Sequence, residues 1–248
     1  MNSICFFEHE INDKSLIELN DSKRLNHLNI HLKVKPEDLL KITILNKGIF
    51  EAKVLEINEK SAILKIEERI NGLEGQFHLA IGLSRPQTIK KVLEHATTFG
   101  VKSFHLFKAT LSEKSYLQSK IYENEKYLEY MIDGLAQSKT YFQIPDFHLS
   151  KYLDFKQFAK FENKFFLSLN STETFNQLAL EKIQNPLIAI GPERGWTKQE
   201  EQKLIENGFH PIGISRSTLR VEHAVFSSLG QLEMIYLNSK KGPIISKS

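Results

Sequence analysis

The stretch IAIGPERGWTKQE, residues 188–200, changes character twice along its length. It begins as a short apolar run, breaks into the polar turn Gly191–Gly195, and continues with Thr197 and Glu200 at the spacing of a capping box. This order predicts a strand, a sharp turn and a helix. Ligands of open parallel sheets bind where a strand gives way to such a loop. The glycines and the proline could also serve turn geometry alone, and both interpretations stay open.

Around this stretch, short apolar runs alternate with helical patterns from residue 77 onward. The predicted strands are FHLAIGL, SFHLFKA, KFFLSL, PLIAI and HPIGIS, and the predicted helices are TIKKVLEHATTF, a second from about Glu123 to Gln137, one capped at Thr197, and one from His223 to Asn238. Such alternation is typical of a mostly parallel sheet covered by helices on both faces.

The N-terminal part of the chain has a different pattern. The run KITILNKGIFEAKVLEINEKSAILKIEERI, residues 41–70, places apolar residues at strand spacing around the turn Asn46-Lys47-Gly48, which predicts a small β-rich unit. Asp21 or Ser22 could cap a short helix before it. The segment NGLEGQ, residues 71–76, brings two glycines and polar residues together and is predicted to link this unit to the α/β part.

Composition restricts the classes of function. The 248 residues, 41% hydrophobic and 25% charged, have room for a well-buried core, and a net charge of +3 permits a polyanionic partner without requiring one. No apolar stretch reaches the length of a membrane span, and the first residues lack the pattern of a signal peptide, so the cytoplasm is the expected location. The single Cys5 excludes an internal disulfide and a thiolate metal cluster, and we expect no metal. The tail KKGPIISKS, residues 240–248, is expected to be mobile.

A second polar segment, IGISRSTLRVEHAVFSSLGQLEMI at residues 212–235, follows the next predicted strand. Gly213 and Ser215 mark the end of that strand. Arg220, Glu222 and His223 then fall close together just before a helical apolar face. Two polar strand ends in consecutive units would line one crevice of the sheet.

These two segments carry a resemblance to a known family. GPERGW and TLRVEHAV, at their separation, resemble the Gly-Pro-Glu-Gly-Gly and Leu-Arg-x-Glu-x-Ala motifs of the bacterial small-subunit ribosomal RNA uridine-N3 methyltransferases, the RsmE-like group of the SPOUT superfamily. RPQTIKKVLEHATTFGV, EKSYLQSK and GLAQSKTYFQIP resemble further segments of that family. The likeness therefore spans most of the chain.

The resemblance implies a fold, a cofactor and partners. The fold would be α/β, with an N-terminal PUA-like β-barrel for RNA binding at residues 1–72 and a C-terminal SPOUT α/β domain with a trefoil knot at residues 73–248. The methyl donor would be S-adenosylmethionine. The partners would be 16S ribosomal RNA or the assembled small ribosomal subunit, and a second copy of the chain in a homodimer. The apolar face of the last helix could be covered by that copy or buried within one chain.

If the donor binds in this crevice, its adenine needs an apolar slot with a few backbone hydrogen bonds. Three strand ends would supply the slot, and the residues predicted to bind the donor are Leu167, Leu169, Ile190, Gly191, Pro192, Glu193, Gly195, Ile212, Ile214, Ser215 and Leu219. Glu193 could contact the donor directly or simply favour the nearby helix N-terminus.

The acceptor requires acid–base chemistry. Uridine N3 must lose a proton, which leaves negative charge on O2 and O4, so a base and a cation are needed. Glu222 is the candidate base and Arg220 the candidate cation, although the two could instead form a structural ion pair. His223 could relay a proton, or cap or pack at the start of the helix.

The nucleotide must also be displayed in a groove that carries cations. The candidates for RNA contact are Arg24, Arg85, Lys90, Lys91, Arg194 and Arg216, although scattered basic residues usually belong to a solvated face. Departures from the family pattern occur at Thr98, Ala136, Thr140, Arg194 and His223. Arg194, where the family has glycine, implies either an ordinary φ or a cation at the pocket mouth. Alternatives to uridine N3 therefore stay open: the chain could methylate another base or a ribose hydroxyl, or it could bind RNA without turnover.

Overall fold

The computed structural model describes residues 3–239, so the tail at residues 240–248 lies outside the described residues. The chain forms two compact units. The first consists of the chain up to Glu74 together with Met131–Ile144, and the second consists of Gly75–Tyr130 and the chain from Pro145 onward. The sequence placed one boundary at residues 72 and 73 and did not predict the return of Met131–Ile144 to the first unit.

The first unit is built on a five-stranded sheet with the order β1-β3-β4-β5-β2. Its strands are β1 (Ile4–Phe6), β2 (Leu16–Leu19), β3 (Leu39–Ile44), β4 (Gly48–Ile57) and β5 (Ala62–Ile70). β1 and β3 are parallel, and the other neighbours are antiparallel. The turn between β3 and β4 is confirmed, with Asn46 at a φ of 62°. Asp21 caps the short helix α1 (Ser22–Asn26), which continues as a π-helix over His27–Leu32.

The returning segment is held in the first unit by backbone and apolar contacts. Leu135 is buried against Cys5 and Leu45. The Ser3 N–H donates to the carbonyl of Ala136 at 2.9 Å, and the Ile144 N–H donates to the Asn46 side chain at 2.8 Å. Burial raises the pKa of the Cys5 thiol to about 12, so this cysteine behaves as a small apolar core residue.

The second unit contains a six-stranded sheet in which every neighbouring pair is parallel, as the alternating pattern predicts. The strands are β6 (Phe77–Gly82), β7 (Val101–Phe107), β8 (Asp146–Ser150), β9 (Lys164–Leu167), β10 (Leu187–Ile190) and β11 (His210–Ile212). The sheet order is β11-β9-β10-β6-β7-β8. β11 is shorter than the predicted HPIGIS strand, because the Gly213 N–H donates to the Glu173 carbonyl in a loop at 2.8 Å.

Four longer helices follow these strands or connect them: α2 (Pro86–Thr97), α3 (Tyr127–Ser138), α4 (Lys198–Glu206) and α5 (Val221–Ser239). The predicted start of α3 at Glu123 is wrong, because Glu123 is extended and Asn124 has a positive φ of 49°. α5 begins at Val221, two residues before the predicted start, so Glu222 lies in its first turn. Within residues 3–239, no helix combines the length and the apolar character needed to cross a membrane.

The sheet of the second unit carries helices on both faces. One face packs Ala80, Ala189 and Phe166 against Leu204 of α4. Because side chains alternate along a strand, Ile81 and Ile188 point to the other face, where α5 packs against α2 and β10. This arrangement directs the loops after β9, β10 and β11 to one edge of the sheet.

Candidate functional site

A cleft of about 790 Å³ opens where β9, β10 and β11 end. The three strands are neighbours in the sheet, so the loops that follow them meet at its carboxyl edge. All the residues predicted for the donor line this one cleft: Leu167, Leu169, Ile190, Gly191, Pro192, Glu193, Gly195, Ile212, Ile214, Ser215 and Leu219. A volume of this size suits a small organic ligand or cofactor.

The Gly191–Gly195 turn forms one wall of the cleft. The Gly195 N–H donates to the Pro192 carbonyl at 2.8 Å and closes the turn. Gly195 has a φ of 73°, which residues with a β-carbon rarely adopt, and the space that a β-carbon would fill is open. Gly191 does not have a positive φ. A β-carbon there would lie 3.3 Å from the Trp196 ring, which is a tight contact.

Arg194 stands where the family has glycine, which implied either an ordinary φ or a cation at the pocket mouth. Its φ is not positive, so an arginine adopts this backbone without strain. The residue is exposed and lines the cleft. An ordinary φ and a cation at the mouth of the cleft therefore occur together.

Gly82, at the end of β6, supports the turn from below and was not identified from the sequence. A β-carbon on Gly82 would lie 2.7 Å from both the nitrogen and Cδ of Pro192. Only glycine therefore allows the turn to sit this close to the neighbouring strand. Its position as the last residue of a strand was the available signal.

Trp196 joins two of the loops and was also missed. Its Nε1–H donates to the Leu167 carbonyl at 3.2 Å, which ties the end of β9 to the turn after β10. Its ring stacks on Phe107, with an interplanar angle of 11°. A lone tryptophan directly after a polar turn was the signal for this residue.

The predicted capping box of α4 is confirmed, and its glutamate has a further partner. Glu200 accepts hydrogen bonds from the Thr197 N–H at 2.9 Å and, through its other oxygen, from the Thr110 N–H at 2.8 Å. Burial alone would raise the pKa of Glu200, but these hydrogen bonds hold it below its ordinary value. The carboxylate thus fixes the start of α4 to the segment after β7.

Glu193 lies at the N-terminus of α2, since it contacts Arg85, the residue directly before that helix. Its carboxylate accepts from the Arg85 N–H at 3.3 Å and lies 3.6 Å from the Arg85 Nε. The Tyr116 hydroxyl donates to its other oxygen at 3.5 Å. Three loops of the second unit are therefore linked through this one side chain at the rim of the cleft.

The start of α5 places the two candidate catalytic groups at the same cleft. Arg220 and Glu222 both line it, Arg220 exposed and Glu222 buried. Among residues 3–239, Glu222 forms its ion pair with Lys91 at 3.8 Å, and no ion pair joins it to Arg220. The open alternative of an Arg220–Glu222 pair is therefore not what the structure contains. His223 is exposed and is not among the residues that line the cleft.

The predicted RNA contacts are scattered. Arg85 and Arg194 line the cleft, and Arg216 lines an adjoining cavity of about 560 Å³. The Lys90 ammonium lies 5.5 Å from the centre of the Tyr130 ring, and Lys91 pairs with Glu222.

Arg24 lies in the first unit and already has partners there. Its guanidinium donates to Glu10 at 2.7 Å, pairs with Asp21, and lies over the Phe6 ring. These two carboxylates offset its charge, so its surroundings do not favour the predicted RNA contact. In the described part of the chain, no three His, Cys, Asp or Glu side chains are grouped so that they could hold a metal ion.

Known proteins resemble this chain over most of its length. A family model described as RNA methyltransferase domain matches residues 72–233. The chain is 32% identical over 231 residues to the ribosomal RNA small subunit methyltransferase E 1 of Borreliella burgdorferi, covering 87% of this chain and 91% of that protein. It is 28% identical over 240 residues to the ribosomal RNA small subunit methyltransferase E of Treponema pallidum, covering 90% and 87% respectively.

A solved structure resembles the fold. The ribosomal RNA small subunit methyltransferase E from Neisseria gonorrhoeae, whose crystal structure is bound to S-adenosyl methionine, matches with a TM-score of 0.72. The match covers 94% of this chain and 98% of that chain at 19% sequence identity. At this identity the likeness establishes a shared fold.

Proposed function

This chain belongs to the RNA methyltransferase domain family, in the RsmE-like group of the SPOUT superfamily, and we propose that it methylates N3 of a uridine in 16S ribosomal RNA with S-adenosylmethionine as donor. One observation carries the proposal. The residues expected to hold the donor come from three separate loops, and they line a single cleft together with Arg220 and Glu222.

The cleft fits the donor in shape and in chemistry. When bound, S-adenosylmethionine supplies a methyl carbon on a positively charged sulfur, and the sulfur keeps the bonding electrons when the methyl group leaves. Leu167, Ile190 and Leu219 offer apolar surface for the adenine. Gly195 leaves open space where a side chain would stand, so a flat group can approach the backbone.

Arg220 and Glu222 then act on the acceptor. Glu222 accepts the proton from uridine N3, and the freed electron pair on N3 forms the bond to the methyl carbon. Arg220 neutralises the negative charge that spreads onto O2 and O4 of the pyrimidine. Donor and acceptor must be aligned in a water-poor space for this transfer, which the loops around the cleft provide.

The finer features of the fold and the partners belong to the same proposal. We infer that the first unit is a PUA-like β-barrel that binds RNA and that the second contains a trefoil knot. The knot is supported by the strand order β11-β9-β10, in which the chain must cross β9 to pass from β10 to β11. The apolar face of α5 is buried within this one chain at Val225, Leu229 and Leu232, so the homodimer rests on the family resemblance, and Met234 is the large apolar residue that α5 leaves exposed. The site of action would be the cytoplasm, where small ribosomal subunits are available.

Positive charge at the cleft suits an RNA partner. Arg194 stands at the cleft and Arg216 at the cavity beside it, and such side chains bind phosphates without reading sequence. Arg85, Arg24 and Lys90 contribute less, since their cationic groups already have partners.

The test is to map modified nucleotides in 16S ribosomal RNA from cells with and without this protein. We expect one N3-methyluridine to disappear in its absence. The wild-type chain should restore it, and Arg220→Ala should not, although Arg220→Ala should still bind the donor in calorimetry. An unchanged map would refute the function, and loss of a different methylated base or of a ribose methyl group would reassign the target.

A further inference from the structure

The ammonium group of Lys91 approaches Glu222 from outside the cleft. The distance between Lys91 Nζ and Glu222 Oε1 is 3.8 Å, and the Glu222 side chain is 7% exposed whereas that of Lys91 is 59% exposed. Glu222 lines the cleft and Lys91 does not. The contact of Lys91 with a group of the cleft is therefore its ion pair with Glu222.

The contact between Lys91 and Glu222 results from the packing of two helices. Lys91 lies on α2 and Glu222 in the first turn of α5, and the two helices contact each other. One turn further along both helices, the rings of His95 and Phe226 lie 5.6 Å apart. Residues four positions apart lie on the same helix face, so the ion pair and the ring contact are successive contacts along one interface.

This pair has a consequence for Arg220, which stands two residues before Glu222. Arg220 is exposed at the cleft and has no ion-pair partner among residues 3–239. A buried carboxylate without a cation would be costly and would attract the nearest guanidinium. Because Lys91 already compensates Glu222, the Arg220 guanidinium stays available.

We propose that Lys91 is a positioning residue for the methyl transfer. Its ammonium group positions and neutralises the Glu222 carboxylate from outside the cleft. The Arg220 guanidinium therefore stays unpaired and can contact the uridine. The inference rests on the proposed function and assigns Lys91 a role other than the direct RNA contact that its charge suggested.

The experiment compares Lys91→Met with Lys203→Met, which removes the same charge from an exposed position on α4. Turnover, KM for small-subunit RNA and donor affinity are measured for each. Lys91→Met should lower kcat by about two- to fivefold, the range of a partly exposed ion pair, with KM for RNA and donor affinity unchanged. Lys91→Arg should restore kcat, and Lys203→Met should behave as wild type.

A double-mutant cycle then tests whether Lys91 acts through Glu222. On a Glu222→Gln background, Lys91→Met should cause no further loss of the residual activity. An equal loss on both backgrounds, or unchanged kcat in Lys91→Met, would overturn the inference. A higher KM for RNA with a weaker salt dependence would identify Lys91 as a phosphate contact instead. If wild-type protein fails to methylate small-subunit RNA, the proposed function itself fails.

Discussion

A buried histidine, His105, and its half-buried neighbour His78 make the second unit sensitive to acid. His78 Nδ1 lies 2.7 Å from the Ser103 hydroxyl, which lies 2.9 Å from His105 Nε2. The ring of His105 also stacks on that of His148, with centroids 4.6 Å apart. Burial, and then the neighbouring His148, lowers the pKa of His105 from 6.5 to about 4.

The lowered pKa values determine how the stability of the second unit changes with pH. Between pH 6.5 and about 4 the unfolded chain takes up a proton at His105 and the folded chain does not. The contribution of neutral His105 to the free energy of unfolding is complete above pH 6.5, and it is lost as the pH falls from 6.5 to about 4. At pH 5 the loss attributable to His105 alone is about 2 kcal/mol of unfolding free energy. His78, whose pKa burial also lowers to about 4, adds a smaller loss because it is only half-buried.

The test is His105→Phe, which keeps a flat ring in β7 and removes the titrating group. Urea unfolding is followed at pH 7 and pH 5 by the fluorescence of Trp196, the single tryptophan, which lies in the same unit. Between the two pH values the wild type should lose about 2 kcal/mol more than His105→Phe. The exposed control His223→Gln should lose as much as wild type. Equal losses in wild type and His105→Phe would refute the reasoning.

Three further predictions concern the cleft. Gly195→Ala puts a β-carbon at a φ of 73° and should weaken donor binding, measured by calorimetry, by about tenfold, since this backbone costs about 1–2 kcal/mol for an L-residue. Gly82→Ala, with its β-carbon 2.7 Å from Pro192, should lower stability by about 1–3 kcal/mol in thermal unfolding, whereas Gly230→Ala, in open space inside α5, should raise it by up to about 1 kcal/mol. Arg220→Ala should lower kcat in a methyl-transfer assay by about 10²- to 10³-fold with donor affinity unchanged. Equal stability of the Gly82 and Gly230 variants, or loss of donor binding in Arg220→Ala, would contradict these assignments.

Short-range sequence patterns were sufficient to predict most of the strands and helices and, together with the family resemblance, the residues that line the cleft. Short apolar runs predicted the parallel strands, and the Thr197–Glu200 spacing predicted the start of α4, because capping depends only on residues within one turn. The family resemblance is confirmed by the family model and by a relative of 32% identity, and the residues predicted to bind the donor lie on three loops. That those loops meet follows from the parallel order of their strands.

Long-range pairings were beyond the reach of local patterns. The return of Met131–Ile144 to the first unit depends on Leu135 meeting Cys5 and Leu45, which are about ninety or more residues away in sequence. The partner of Glu222 was sought in Arg220, its neighbour in sequence, and proved to be Lys91 on another helix. The spacing of charged residues along the chain does not show whether Arg220 or Lys91 is the partner of Glu222, because the packing of the helices decides which of them is close.

The charge balance of the cleft links these contacts to function. Its carboxylates are offset locally: Glu193 by Arg85, Glu222 by Lys91, and Glu201 by its place in the first turn of α4. The guanidinium groups of Arg194 and Arg220 have no ion-pair partner among the described residues 3–239. The unbalanced charge at the cleft is therefore positive, which suits phosphates at its mouth and an ionised pyrimidine within it. A sulfonium that loses its charge during transfer needs no carboxylate aimed at it, so the same balance is compatible with the donor.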